Sequence, residues 1–412
     1  MKVYRLLTIL LWPAFFIYTI KTALRDKSTR YFLQRTGFAY PEIKHNANIY
    51  WIHCASVGEV NTYLPLHLKL LQHLPETQFL ITTNTTTGAS TVARNIKALS
   101  ISNTRHCYLP LESGFAIRRF LKHFQIRQCL IMETEIWPLL FQMCKQKKIP
   151  LRIINARLSH RTLNTNSWIK SIYQLSLSRV DKILCKSAHE LQNFQALGAT
   201  EQQLVIAGNL KFTSTDQADT LTPVDLNKRN YCVAASTHND EEQQLAKLWN
   251  TLETEHLLVI VPRHPKRSEQ IQKQLQTLNI KYAVRSLQQA IEPDTKIYLA
   301  DTMGELKHFM SGAQFVFIGG TLIKHGGQNL LEPARMAKTT VCGPHMFNFK
   351  DEVALLLKND ACIQVNNTEE LQQAFIELLT RPEKTAVMGE NARKVLSNQA
   401  EILDTYIACI ID

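Results

Sequence analysis

The chain lacks most of the short signatures that announce a metal or a cofactor. Its nine cysteines, Cys54, Cys107, Cys129, Cys144, Cys185, Cys232, Cys342, Cys362 and Cys409, form no CxxC pair. They are odd in number and mostly lie in apolar, strand-like runs. That argues against a disulfide framework or a zinc site and fits reduced, buried thiols. There is no HExxH pattern and no GxSxG elbow, which removes the zincin and α/β-hydrolase signatures. Neither GxGxxG nor GxxxxGK[ST] occurs, so neither a dinucleotide fold nor a P-loop is supported. Nothing in the chain requires a metal, and no cofactor is expected. No sequence repeat joins its two halves.

Acidic residues are also scarce, 35 against 47 Lys and Arg, for a net charge of +12. Such a balance points to an anionic partner without naming it. Half of the excess lies in residues 1–35, where Lys2, Arg5, Lys21, Arg25, Lys27, Arg30 and Arg35 face only Asp26. A nucleic-acid binder spreads its charge over a folded face. Here the charge flanks the apolar run Leu6–Ile20, so anionic membrane lipid is the expected partner and nucleic acid is not. Fifteen residues fall short of the ~20 that a spanning helix needs, and no A-x-A cleavage site follows. The expectation is an uncleaved anchor in residues 1–40, spanning or deeply embedded, with the globular part on the cytoplasmic side.

A chain of 412 residues with 45% hydrophobic and 20% charged content is expected to fold as two domains. Beyond residue 48, short runs rich in Ile, Val and Leu alternate with helical segments. Strands are predicted at Tyr50–Cys54, Gln78–Thr82, His106–Leu109, Cys129–Met132, Leu151–Ile154, Lys182–Cys185 and Val205–Ala207. A second set is predicted at Cys232–Ala235, Leu257–Val261, Lys281–Val284, Lys296–Leu299, Phe315–Ile318, Thr340–Cys342 and Ile363–Val365. Runs without strict alternation suit strands buried on both faces, and β-α order implies parallel sheets. The polar stretch 212–228 reads as a linker. The expected domains are therefore 41–211 and 229–412.

Ligands of such folds gather where strands end and helices begin, and the candidate residues cluster there. After the first strand, Ser56 and Gly58 allow a tight turn and Glu59 falls in the next helix's first turn. A carboxylate there either complements the helix dipole or takes a proton from a substrate. Glu133 and Glu135 follow the fourth strand, either as site acids or as helix-start residues before Trp137-Pro138. Asn155 and Arg157 follow the fifth, with Arg157 suited equally to a phosphate or sugar carboxylate and to a structural ion pair. Lys211 closes the first half. In the second half Ser236 and His238 end a strand, and Asn239 and Glu242 have capping-box spacing, so capping is the leading reading for the acids there. Prolines on both sides stiffen Arg263 and His264. Met303, Gly304 and Glu305 open another helix. The richest run holds Gly319, Gly320, Gly326 and Gly327, with a helix starting near Asn329. Bare backbone and helix-start amides suit a phosphate, and Glu332 suits ribose hydroxyls.

Nine runs carry a resemblance through nearly the whole chain: His53–Glu59, Met132–Pro138, Asn155–Ser159, Gly208–Phe212, Ser236–His238, Pro262–Pro265, Asp301–Leu306, Gly319–Ala334 and Gly343–Phe349. Together they resemble the 3-deoxy-D-manno-octulosonic acid (Kdo) transferases of lipopolysaccharide synthesis. That resemblance implies an α/β GT-B glycosyltransferase with two facing Rossmann-like domains, their sheets parallel, and an N-terminal membrane-anchor helix. It implies CMP-Kdo as donor, a lipid A precursor as acceptor, and a place on the cytoplasmic side of the bacterial inner membrane. By the same likeness Glu59 is the general base, and Glu133 and Lys211 assist at the transition state. Arg263, His264, Met303, Gly304, Glu305, Asn329, Leu330, Leu331 and Glu332 would hold CMP. Two departures stand out. The family usually shows Gly-Gly-His-Asn-Pro-Leu-Glu-Pro, but here Gln328 replaces the histidine and Leu330 the proline. After Ser-Thr-His, the usual Glu-Gly is Asn239-Asp240. Two other readings are open: a GT-B enzyme or epimerase using a UDP-sugar, and a membrane-tethered binding protein without activity.

Overall fold

The computed structural model describes residues 2–43, 48–213, 221–397 and 401–411. All fourteen predicted strands form, and they divide into two parallel seven-stranded sheets.

The first unit opens with helices α1 (Lys2–Arg25) and α2 (Thr29–Thr36). Strands and helices then alternate: β1 (Ile49–His53), α3 (Val57–His73), β2 (Gln78–Thr83), α4 (Thr86–Ala98), β3 (Thr104–Tyr108), α5 (Gly114–His123), β4 (Ile126–Met132) and α6 (Pro138–Gln146). After these come β5 (Leu151–Ala156), α7 (His160–Leu163), α8 (Ser167–Leu177), β6 (Lys182–Cys185), α9 (Ala188–Ala196) and β7 (Leu204–Ile206). The strand order is β3-β2-β1-β4-β5-β6-β7. Strand β1 is buried at every residue, which is why its sequence shows no alternation. One face packs Trp51, Phe120, Phe141 and Phe194, and the other packs Ile52, Tyr63, Phe79 and Leu130.

The second unit contains β8 (Tyr231–Thr237), α10 (Glu241–Thr251), β9 (Leu257–Pro262), α11 (Ser268–Thr277), β10 (Tyr282–Val284), β11 (Ile297–Leu299), α12 (Leu306–Gly312) and β12 (Phe315–Ile318). It continues with α13 (Leu331–Arg335), β13 (Thr339–Cys342), α14 (Lys350–Lys358), β14 (Cys362–Gln364), α15 (Thr368–Thr380) and α16 (Pro382–Ser397). Its strand order is β10-β11-β9-β8-β12-β13-β14, and its core packs Trp249, Phe315, Phe317 and Phe375. In each sheet the connections reverse direction once, between β1 and β4 and between β8 and β12. The strand ends at such a reversal leave a crevice. None of the nine cysteines is in a disulfide, and eight are buried.

Two expectations need correction. The chain divides as Met1–Ser214 with Ala400–Asp412, and Thr215–Gln399. The expected 229–412 domain therefore stops short of the C-terminus. Helix α17 (Glu401–Ile411) packs Ile402, Tyr406, Ile407 and Ile410 into the first unit's core. Tyr406 Oη fixes it there, accepting from Asn155 N at 3.1 Å and donating to Gly208 O at 2.9 Å. Residues 214–220 of the expected 212–228 linker lie outside the described residues.

The N-terminal segment is helical over Lys2–Arg25, with Pro13 inside. Yet among the described residues no helix is long and apolar enough to cross a membrane. The physical reason is length: a fifteen-residue apolar run spans about 22 Å as a helix, short of the ~30 Å hydrocarbon core. The expectation of a spanning anchor is withdrawn.

Replacing Tyr406 with Phe strands a buried N–H and a buried C=O beside an intact ring. A loss of about 1–3 kcal/mol is expected, read as a lower urea midpoint. An unchanged midpoint would remove Tyr406 as the fixing point of α17.

Candidate active site

In the first unit the turn after β1 and the turn after β4 meet at the reversal. Ser56 is the N-cap of α3; its hydroxyl accepts from Glu59 N at 3.4 Å. Glu59 folds back so that Oε2 accepts from Ala55 N at 2.7 Å. Ser56 caps the helix and Glu59 reaches back to the N–H just before the cap, so the structural role foreseen for Glu59 is real. The same placement leaves its carboxyl half-buried among acids. Burial, then the charges of Glu133 and Glu135, push it up to about 8, against the Ala55 N–H and Arg157. Gly58 lies exposed in the same first turn.

Glu133 follows β4 with φ +55° and is 5% exposed. Its Oε2 accepts from Arg157 Nε at 2.6 Å. Arg157 thus makes the ion pair that one of its two sequence readings foresaw, with a site acid as partner. Asn155 also takes a left-handed φ of +50°, where the β5–β6 register slips. Its Oδ1 accepts from Leu210 N at 3.0 Å, ordering the loop that carries Lys211. Lys211 N in turn donates to Asn209 Oδ1 at 3.0 Å. Left-handed non-glycine residues and bulges at strand ends re-aim side chains and concentrate at working sites.

Glu135 is held differently. Its Oε2 accepts from Trp137 Nε1 at 3.0 Å and Asn84 Nδ2 at 3.4 Å, with buried His53 Nε2 at 3.6 Å. Burial works against ionisation, but these partners keep the carboxyl below its usual range. The neighbouring acids Glu59 and Glu135 are therefore pushed in opposite directions, the pattern of paired acid and base assignments. The roles of His53 and Asn84 were not foreseen. A histidine inside a strand and an asparagine before a helix are ordinary alone, and only the parallel register aligns them.

In the second unit, Ser236 turns the end of β8 with φ +55°, at a register slip against β9. The acids after it do more than cap. Glu241 is fully buried and accepts backbone N–H bonds from His238 (3.0 Å), Gly320 (2.6 Å), Thr321 (2.9 Å) and Leu322 (3.0 Å). It ties the glycine-rich loop after β12 to the end of β8. Buried Glu242 pairs with Arg267 Nη1 at 2.8 Å. The expected capping box at Asn239 is replaced by Asp240 as N-cap, without a side-chain bond. Gly319 approaches so closely that a Cβ would meet Ser236 O at 2.4 Å. Gly320, Gly326 and Gly327 all have positive φ.

His238 is at the centre of this half-site. Its ring lies 3.9 Å from that of His325 and 6.2 Å from that of His264. Gln328 Nε2 donates to His238 Nε2 at 2.9 Å. Burial, with His325, His264, Arg267 and Arg263 nearby, lowers His238 to about 4, so it stays neutral near pH 7. Arg263 and His264 are exposed at the β9 end. Asn329 Nδ2 faces Glu332 Oε1 at 3.4 Å, and its Oδ1 accepts from Leu331 N at 3.1 Å. Leu330 and Leu331 bury their side chains, so only their backbone is left for a ligand. Met303 is 76% exposed, and Gly304 has φ +89°. Glu305 is engaged by Arg285 Nη2 at 2.8 Å.

Comparisons with known proteins show the family and the fold. Residues 30–214 match the family described as 3-deoxy-D-manno-octulosonic-acid transferase (kdotransferase). A 3-deoxy-D-manno-octulosonic acid transferase of Haemophilus influenzae is 33% identical over 356 residues, covering 84% of this chain and 82% of that protein. The chain belongs to the Kdo transferase family. It is a glycosyltransferase. A Rickettsia typhi relative of the same description is 30% identical over 90% of this chain and 80% of its own length. The GT-B-like fold is shared with a glycosyltransferase from Rickettsia africae (TM-score 0.62, 13% identity, 89% of this chain and 98% of that one). It is also shared with a UDP-GlcNAc 2-epimerase from Neisseria meningitidis (TM-score 0.59, 14% identity, 88% and 100%).

The transferase should show its buried carboxyl in its stability. An acid raised on folding from the usual 4.5 to about 8 costs stability as pH rises between those values. Glu59→Gln removes that cost. The variant should match wild type near pH 4 and exceed it at pH 9 by on the order of 1 kcal/mol, since the site is partly screened. Urea midpoints at the two pH values test this, and a pH-independent difference would refute it.

Proposed function

We propose that this transferase moves Kdo from CMP-Kdo to a hydroxyl of a lipid A precursor, a tetraacylated diglucosamine bisphosphate, with inversion and release of CMP in lipopolysaccharide synthesis. The observation that carries the reading is Glu59: a raised carboxyl at the β1–β4 reversal, beside the Glu133–Arg157 pair. A base with a pKa near the working pH combines adequate ionisation with useful basicity.

The donor arrives activated, so positioning and charge handling do most of the work. Glu59 takes the proton of the acceptor hydroxyl as that oxygen attacks the anomeric carbon opposite CMP. Glu133 holds Arg157, and Lys211 offsets negative charge on the reacting sugar. In the second unit Arg263, His264 and the amides of the glycine-rich loop take the cytidylate phosphate, and Glu332 takes ribose hydroxyls. No step calls for a metal. Leu10, Leu11, Phe15 and Leu24 of α1 are exposed and set among basic residues. This suits a helix lying in the interface of an anionic membrane, which we assign to the cytoplasmic face of the bacterial inner membrane.

Purified protein incubated with CMP-Kdo and the tetraacyl acceptor should give a product heavier by whole Kdo units, read by mass spectrometry. Binding of a UDP-hexose but not of CMP-Kdo would overturn the assignment. Glu59→Gln should lower kcat/KM by at least about 100-fold. Because the base must be deprotonated, wild-type kcat/KM should rise about tenfold per pH unit up to about 8 and then level off. A flat profile would remove Glu59 as the base.

A further inference from the structure

Arg35 sits in the last turn of α2, outside every motif described above. Its backbone O accepts from Leu111 N at 2.7 Å. Next to it, Gln34 Oε1 accepts from Tyr108 N at 3.0 Å. These bonds tie the end of α2 to the end of β3. The guanidinium reaches the end of β2, where Nη1 donates to Asn84 Oδ1 at 3.0 Å. Its carbon lies 5.7 Å from the Tyr31 ring. Nε is buried and has no hydrogen-bond partner. Among the described residues no carboxylate pairs with Arg35. The acid whose charge reaches it, Glu135, is already held by Trp137 and Asn84.

A desolvated arginine stays charged, and holding that charge with Nε away from water and no counter-ion is unfavourable. A fold bears that cost where an anion completes the site. Asn84 links this cation to the reacting carboxyl: its N–H donates to Ala55 O at 3.3 Å, and Ala55 N donates to Glu59. The first turn of α4 also begins just beyond Asn84, and helix-start amides favour negative charge.

We propose that Arg35, steadied by Asn84, binds an anionic group of the substrate that meets Glu59. The group is a phosphate or a carboxylate, gripped by the free edge of the guanidinium fork. This rests on the function proposed above, in which the acceptor carries phosphates and the transferred sugar a carboxylate.

The test uses the full chain. With inorganic phosphate as probe, wild-type protein should gain thermal stability with rising phosphate, and R35Q should lose that response. In transfer assays R35Q should raise the KM of one substrate about 10- to 100-fold, with kcat within about threefold. R35K, which keeps the charge but not the fork, should fall between. A rise confined to the acceptor, and absent with a dephosphorylated acceptor, identifies the phosphate. A rise confined to CMP-Kdo identifies the sugar carboxylate. Unchanged KM values with a wild-type phosphate response would overturn the proposal. So would a loss confined to kcat and thermal stability, which makes Arg35 structural. Should R35Q not fold, phosphate inhibition of wild type decides: competition with one substrate supports the site, and competition with neither overturns it. If wild type cannot use CMP-Kdo at all, the proposed function fails, while a phosphate response lost in R35Q still stands.

Discussion

The whole arrangement depends on one constraint of parallel sheets. Every strand ends at the same edge, and the direction of winding reverses once. At that reversal adjacent strand ends are followed by loops that leave in opposite directions, so a gap opens between them. In the first unit the gap receives the turn of Glu59 and the turn of Glu133. In the second it receives His238 and the glycine-rich loop. Residues more than seventy positions apart become neighbours because β1 pairs with β4 and β8 with β12.

Both gaps are fixed by carboxylates under strain or burial. Glu133, held in a left-handed backbone, accepts from Arg157; Glu241, fully buried, gathers four backbone N–H groups. The first keeps negative charge beside Glu59, raising its proton affinity. The second leaves Gly319 close to the strand end, where a Cβ would collide with the backbone of Ser236. Neither acid needs to touch a substrate to shape what the site can hold.

The strands were legible because burial on both faces leaves an unmistakable apolar run, and each predicted run matched an observed strand to within a few residues. The residues at strand ends were legible for a related reason: small and polar residues interrupt those runs where the chain turns. The partners of those residues were not. The acids after Ser236 read as helix caps, since spacing along a helix is all that a sequence displays; Glu241 instead reaches a loop some eighty residues away. Arg35 looked like one more basic residue near an apolar segment, because the lack of a counter-ion for it among the described residues is a fact of three dimensions.

The termini make the same point. From its composition α1 suggested an anchor, and the length of the apolar run already set the limit that keeps it from spanning a bilayer. The C-terminal helix gave no hint that it would leave the second unit, because its apolar residues fit either core equally well. Sequence alone determined the alternation of strands and helices, the family likeness and the identity of the strand-end residues, all of which are written in local order. Tertiary structure decided which acids hold a proton more or less tightly, which glycines are crowded and which arginine has no carboxylate paired with it among the described residues, because burial and proximity arise only when distant segments pack.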